Sequence, residues 1–260
     1  MPSLPLGSSA MALRVGTSGY HYRHWRGLLY PEGLPVADWL THYATFFDTV
    51  ELNATFYRLP TGEAVLSWRN AVPAPFRFAV KGSRYLTHLR RLREAGQGLD
   101  RFYAPLSRFG ERLAVTLWQL PPQLPPDLPR LDAFLSRLPP GRHAVEFRDP
   151  AWYADGTCTL LDRHGVAFCE HDRVDRRPPR PSGGFRYLRF HGTTGRYAGR
   201  YGPAALRPFA EDLLAWSRAG KDAYVYFNND LGGAAVRDAL DLLALIGEER
   251  PELSGRERRP

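Results

Sequence analysis

Lysine is nearly absent from this 260-residue chain. Lys81 and Lys221 are the only two among 35 lysines and arginines together. Cysteine is as scarce, with Cys158 and Cys169 alone. Their spacing fits no zinc, iron–sulfur or dithiol pattern, and no CxxxCxxC run exists for a radical cluster. They read as two reduced core thiols of a cytoplasmic protein. No HxH or HExxH spacing occurs either. No apolar run approaches the roughly 18 residues of a membrane-spanning helix, so no membrane role is expected. The start, MPSLPLGSSAMA, lacks the basic stretch and apolar run of a signal peptide. Residues 1–12 are expected to form a flexible leader, with Met11 an alternative start. Residues 248–260 are expected to fray, which leaves 13–247 as one domain.

Enough is present to build a large core. The chain is 43% hydrophobic and 13% aromatic, which excludes disorder for its body. The formal charge of +8 points to an anionic substrate or a polyanionic partner. Abundant Ala, Gly, Pro and Arg weaken that pointer, because coding bias alone supplies arginine.

Eight short apolar segments read as strands: Leu13–Gly19, Thr49–Tyr57, Arg77–Ser83, Leu113–Pro121, His143–Asp149, Gly165–Asp172, Phe185–Gly192 and Asp222–Asn229. Stretches of helical period alternate with them: Val36–Phe47, Gly62–Val72, Leu86–Glu94 with Leu99–Gly110, Leu131–Leu138, Thr157–His164, Pro208–Ala219 and Ala234–Ile246. Strand–helix alternation implies parallel strands with right-handed crossovers, and eight repeats at this length imply a closed (β/α)8 TIM-type barrel. Between strands six and seven, RVDRRPPRPSGG forbids a regular helix. An irregular Pro/Arg-rich loop is expected in place of helix six.

Parallel barrel strands should be apolar on both faces. Several here carry polar residues at their C-terminal ends, spaced by two so that they share a face. Glu51 and Asn53 do so on strand two, Glu146 and Arg148 on strand five, and Arg189 and His191 on strand seven. Lys81, Gln119 and Asn228 end strands three, four and eight. Facing inward, they meet at the C-terminal mouth, where barrel enzymes place their chemistry. The plainer account is an internal ion network of Glu51 and Glu146 with Arg148, Arg189 and Lys81. A lysine kept where arginine is the rule suggests a need for a compact ammonium.

Three loops add candidates. HGTTGRYAGRYG after strand seven carries Arg196 among glycines, and NNDLGGAAV after strand eight carries Asn229 and Asp230 before two glycines. Loops seven and eight are the common phosphate site of such barrels, though tight turns alone explain glycines. GTSGYHYRHWRG after strand one interleaves Tyr22 and Trp25 with Arg23 and Arg26, suited to stacking and phosphate contact or to plugging the rim. SRYLTHLRRLR reads as a solvated face, except that Thr87 and His88 lie close enough to strand three to reach the mouth.

At these residues the chain resembles a known family, the YecE-like proteins, catalogued as domain-of-unknown-function family 72. The resemblance runs from about Val15 to Ile246 through GTSGY with Trp25, FFDTVELNATFYRLP, FRFAVKGSRYLTH, LWQLPP, VEFRDPAWY, YLRFHG and VYFNND. It implies a TIM-type barrel and no established activity. By motif it marks Ser18, Glu51, Asn53, Tyr57, Lys81, Thr87, His88, Gln119, Glu146, Arg148, Arg189, His191, Asn228, Asn229 and Asp230.

Three functions fit this pattern. One is an enzyme acting on a phosphorylated or anionic substrate, a sugar phosphate or a nucleic-acid component. Glu51, Glu146 and His191 would then act as general acid or base, and Lys81 as electrophile or proton donor. Arg148, Arg189 and Arg196 would hold the anion, with Ser18, Tyr22, Asn53, Tyr57, His88, Gln119, Asn228, Asn229 and Asp230 lining the site. The second is a nucleic-acid-binding protein without catalysis, with salt-sensitive affinity. The third is a metal-dependent hydrolase drawing on Glu51, Glu146, His171, Asp172 and His191. No cofactor is named by the sequence.

Overall fold

Runs of β-branched and aromatic residues, each broken by glycine, proline or a polar turn, form eight strands in the computed structural model, which describes residues 13–194 and 197–253. They are β1 (Leu13–Ser18), β2 (Thr49–Leu52), β3 (Arg77–Lys81), β4 (Leu113–Gln119), β5 (His143–Glu146), β6 (Val166–His171), β7 (Arg186–Phe190) and β8 (Ala223–Phe227). All pair in parallel, in chain order, and β1 closes on β8 through pairs such as Val15 with Val225. The result is a closed eight-stranded parallel barrel of TIM type.

Strand alternation sorts the side chains into two cores. Ala79, Leu117, Ala144, Cys169, Tyr187 and Tyr226 fill the barrel interior. Val50, Phe78, Val80, Trp118, Phe168, Leu188 and Phe227 face outward and pack in the larger cluster with the helices. Burying each such Val, Leu or Phe contributes about 1.5–3 kcal/mol. The helices are α1 (Trp39–Tyr43), α2 (Ala54–Tyr57), α3 (Gly62–Asn70), α4 (Gly96–Leu106), α5 (Leu128–Leu135), α6 (Asp155–Arg163), α7 (Gly202–Arg218) and α8 (Ala234–Leu245). None among the described residues is long and apolar enough to cross a membrane.

Some boundaries differ from the sequence reading, each for a local reason. The second strand stops at Leu52 rather than Tyr57. Thr55 Oγ1 bonds Leu52 O at 2.9 Å and Lys81 O at 2.7 Å, drawing the chain into α2. The fifth strand stops at Glu146, and the Asp149 carboxylate caps a short turn by accepting from Ala151 N at 2.9 Å. After β3 the expected helix Leu86–Glu94 is a single wide turn, Tyr85–Leu89. Arg91, Leu92 and Glu94 then take positive φ, which ends the helical path.

Between β6 and β7 the chain runs through turns and bends. The recorded β6–β7 pairs begin only at Cys169 with Tyr187. Nearer the start of β6, Ser182 Oγ accepts from Phe168 N at 2.9 Å and donates to Val166 O at 3.0 Å. That hydroxyl satisfies strand groups that would otherwise be left unpaired.

Candidate functional site

Glu51, Glu146 and Arg189 meet inside the mouth, with relative exposures of 0%, 0% and 1%. Arg189 Nη2 donates to Glu51 Oε1 at 2.7 Å, and Nη1 to Glu146 Oε2 at 2.6 Å. Glu51 Oε2 also accepts from the Tyr187 hydroxyl at 2.6 Å, and Oε1 from Ser18. Glu146 Oε1 accepts from Arg148. Removing such charges from water costs several kcal/mol per ion, which only this dense pairing repays. Burial opposes ionisation of Glu146, yet the Arg148 and Arg189 guanidiniums outweigh it and hold the carboxyl well below its usual range. Burial likewise disfavours the charge of Arg189, but Glu51 and Glu146 more than restore it. All four carboxylate oxygens accept hydrogen bonds. Glu51 and Glu146 fix the two guanidiniums.

His191 joins this network from β7. Its Nε2 lies 3.2 Å from Arg148 Nη2 and 3.4 Å from Arg189 Nη1. Guanidinium nitrogens only donate, so Nε2 is the acceptor and Nδ1 carries the proton. Nδ1 donates to Asp172 Oδ1 at 2.9 Å. Asp172 also accepts from His191 N and from the Tyr201 hydroxyl. Burial, reinforced by Arg189 against the pull of Asp172, pushes the imidazole down to about 4. His191 is therefore neutral near pH 7 and serves as an acceptor for two arginines. Gly192 follows at φ 110, where a Cβ would lie 2.1 Å from Ala198 O, so only glycine permits this turn beside the imidazole.

Lys81 differs from its neighbours. Of the five charged residues at the inward strand ends, it alone has no ion pair or hydrogen bond from its side chain among the described residues. Its ammonium sits 4.3 Å from the centroid of Phe56. Burial, with Arg189 next in effect, lowers it to about 8. His88 packs on the same Phe56, ring centroids 5.0 Å apart, and is pushed down to about 4 by burial and then by Lys81 and Arg84. Asn53 Nδ2 donates to Ser18 Oγ at 2.7 Å, which leaves Asn53 Oδ1 buried with no partner. Gln119 is half-buried at the end of β4, and Asn228 is 8% exposed after β8. Among the described residues, neither amide side chain has a hydrogen-bond partner.

At the start of α7 the backbone N–H groups are taken up by the protein itself. Asp238, fully buried in α8, accepts from Tyr201 N and Gly202 N at 3.1 Å each. It also accepts from Asn229 Nδ2 at 2.8 Å. An internal carboxylate thus sits at the start of α7, where an anion was expected. Asp230 accepts at its carbonyl from His24 Nε2 at 2.7 Å and from Trp25 Nε1 at 3.3 Å, tying the first loop to the eighth. Tyr22 donates to Ser18 O at 2.7 Å and packs at a tilt against Trp25, ring centroids 4.7 Å apart, so it serves the rim. Tyr57 is 79% exposed at the end of α2, apart from the ion network. Arg196 lies outside the described residues.

The sequence reading missed Tyr187, which shares a face with Arg189 two residues on and was findable by alternation. It also missed Asp238, for which spacing gave no signal. Among the described residues, no three His, Cys, Asp or Glu side chains converge to hold a metal ion. His171 illustrates why: its Nδ1 accepts from Arg173 N at 3.1 Å and its Nε2 meets Phe147 O at 2.7 Å.

Comparison with known proteins agrees with the geometry. The profile of a family described as "Protein of unknown function DUF72" matches residues 14–260. The UPF0759 protein YecE of Escherichia coli K12 is 36% identical over 119 residues, 45% of this chain and 44% of that protein. The matched segment thus spans less than half the length of that relative. The UPF0759 protein YunF of Bacillus subtilis 168 is 24% identical over 88% of this chain and 94% of its own length. A solved DUF72 family structure from Thermotoga maritima MSB8 superposes with a TM-score of 0.83 at 29% identity, covering 91% of this chain and 99% of that one. One from Enterococcus faecalis V583 reaches 0.79 at 19% identity, over 96% and 100%, and supports the fold alone.

Proposed function

Because the chain belongs to the DUF72 family, whose function is unknown, its activity has to be read from the mouth, and we propose that the mouth binds and transforms a small anionic substrate. The observation that carries this reading is the Lys81 ammonium, which among the described residues has no carboxylate within ion-pair distance, beside two carboxylates and two guanidiniums that pair with one another. Arg189 and Arg148 take up Glu51 and Glu146 there, so neither carboxylate is left to hold Lys81. A phosphate or carboxylate of the substrate completes the pairing.

In this reading Glu51, Glu146 and His191 position Arg189 and Arg148. Lys81 meets the substrate as electrophile or proton donor. The partnerless Asn53 Oδ1 and the side chains of Gln119 and Asn228 supply orienting hydrogen bonds. The Asp172–His191–arginine chain sets the ring tautomer, as an orienting carboxylate does elsewhere. The 173–184 loop substitutes for the sixth barrel helix and bounds one side of the site. The protein acts in the cytoplasm on a soluble compound.

Thermal shifts test this with inorganic phosphate, glyceraldehyde 3-phosphate and a single-stranded oligonucleotide, each at low and high salt. Ligand at a hundredfold excess over Kd adds about 2.7 kcal/mol to stability. A salt-tolerant shift with a small anion, absent in Lys81→Met, is expected. A shift with the oligonucleotide alone, lost at high salt, would replace this reading with nucleic-acid binding.

A further inference from the structure

Resting on the reading of the mouth as a substrate site, we propose that Lys81 is a covalent catalyst, forming an imine with the carbonyl group of an anionic aldehyde or ketone. No carboxylate among the described residues holds Lys81, although Glu51 and Glu146 lie in the same mouth; both are taken up by Arg189, Arg148, Ser18 and Tyr187. Its ammonium rests on the face of Phe56 at 4.3 Å and feels Arg189 and Arg148 as like charges. Apolar contact and like charge both favour the free amine, which is the nucleophile. The amine is accordingly lowered to about 8.

A proton carrier stands beside it. Thr87 Oγ1 lies 3.2 Å from Ser83 O and 2.9 Å from His88 Nδ1; with its single proton on Ser83 O, the oxygen accepts from Nδ1. In that tautomer His88 Nε2 keeps its lone pair, and among the described residues nothing hydrogen-bonds to it. The balanced step follows. Lys81 Nζ attacks the carbonyl carbon, and the carbonyl electron pair moves to oxygen. His88 Nε2 takes a proton from the nitrogen and returns it to that oxygen, giving a neutral carbinolamine. A proton relayed from solvent by His88 Nε2 lets the hydroxyl leave as water, and the nitrogen lone pair forms the C=N bond. The resulting cationic iminium lies near Glu51 and Glu146, whose charges favour it.

The chain supplies its own control. Lys221 is the only other lysine, exposed and preceding β8 at the opposite end of the barrel, with its ammonium 4.4 Å from the Trp216 ring centroid. The full chain is incubated with glyceraldehyde 3-phosphate, dihydroxyacetone phosphate or pyruvate, reduced with borohydride, and mapped by peptide mass. The expected result is an adduct on Lys81 with at least one of the three, formed at least about tenfold faster than on Lys221 near pH 7.5. Its rate should rise with pH and level off through an apparent pKa near 8, since below that value the free-amine fraction grows about tenfold per pH unit. Lys81→Arg keeps the charge and should abolish the adduct. His88→Gln should slow its formation at constant carbonyl concentration. Equal labelling of both lysines, or none on Lys81 with any of the three, overturns the imine. A thermal shift with glyceraldehyde 3-phosphate but no Lys81 adduct overturns the imine and leaves the anion site standing. Neither shift nor adduct overturns both.

Discussion

His191 makes a prediction in which magnitude and sign are both fixed. The perturbation is acid. The imidazole is held neutral in the folded protein down to about 4, because burial and the two guanidiniums at Nε2 oppose its protonation. In the unfolded chain it titrates near 6.5. As pH falls, the unfolded state takes up the proton first, so stability contributed by the neutral ring is present above about 6.5 and is lost toward 4. The full window is worth about 3 kcal/mol, of which about 2 kcal/mol disappears between pH 7 and pH 5. His88, His143 and His171 are lowered by burial as well, so the wild-type loss exceeds the share of His191. A difference isolates it. In His191→Asn the amide still donates to Asp172 but has no basic nitrogen. Urea melts of both proteins at pH 7 and pH 5 should show the variant losing about 2 kcal/mol less on acidification, although it is less stable at pH 7 because the guanidinium protons lose an acceptor. Parallel losses in the two proteins would refute the assignment of a neutral, arginine-facing imidazole.

Other variants probe the same network. Arg189→Met strands two buried carboxylates and should cost about 3–5 kcal/mol, and adding Glu51→Gln and Glu146→Gln should recover much of it; chemical denaturation decides, and no recovery would show that packing, not charge, is at fault. Lys81→Met should raise stability by about 1–2 kcal/mol at pH 7, because a desolvated cation is removed while its contact with Phe56 is lost. The folded pKa of Lys81 lies below its unfolded value, so this gain should fade as pH rises through about 8 toward 10.5. A gain independent of pH would count against the lowered amine. Asp238→Ala removes the acceptor for Tyr201 N, Gly202 N and Asn229 Nδ2, and should cost about 2–4 kcal/mol. Hydrogen exchange should then quicken at Tyr201 and Gly202 while β3 stays protected; uniform loss of protection would instead mean global destabilisation.

What the sequence disclosed and what it hid divide along one physical line. Glu51, Glu146 and Arg189 were visible because a charge inside a parallel barrel strand violates the expected apolar pattern, and period-two spacing gives its direction. The strand order followed from alternation with helices. Chain ends of elements were hidden, because they depend on side-chain bonds such as Thr55 Oγ1 to Lys81 O that join residues 26 apart. Which cation stays unpaired was hidden for the same reason. Five charged residues read alike on paper, and only distances show that four pair and Lys81 does not. The glycine-rich loop after β7 shows the limit most clearly. Glycines near a helix start admit an anion at the backbone N–H groups, whatever its source. The sequence cannot distinguish a ligand phosphate from Asp238, which sits in α8 among residues of helical period 36 positions beyond Gly202. The fold places that carboxylate on the N–H groups of Tyr201 and Gly202, and so moves the search for substrate charge across the mouth to Lys81.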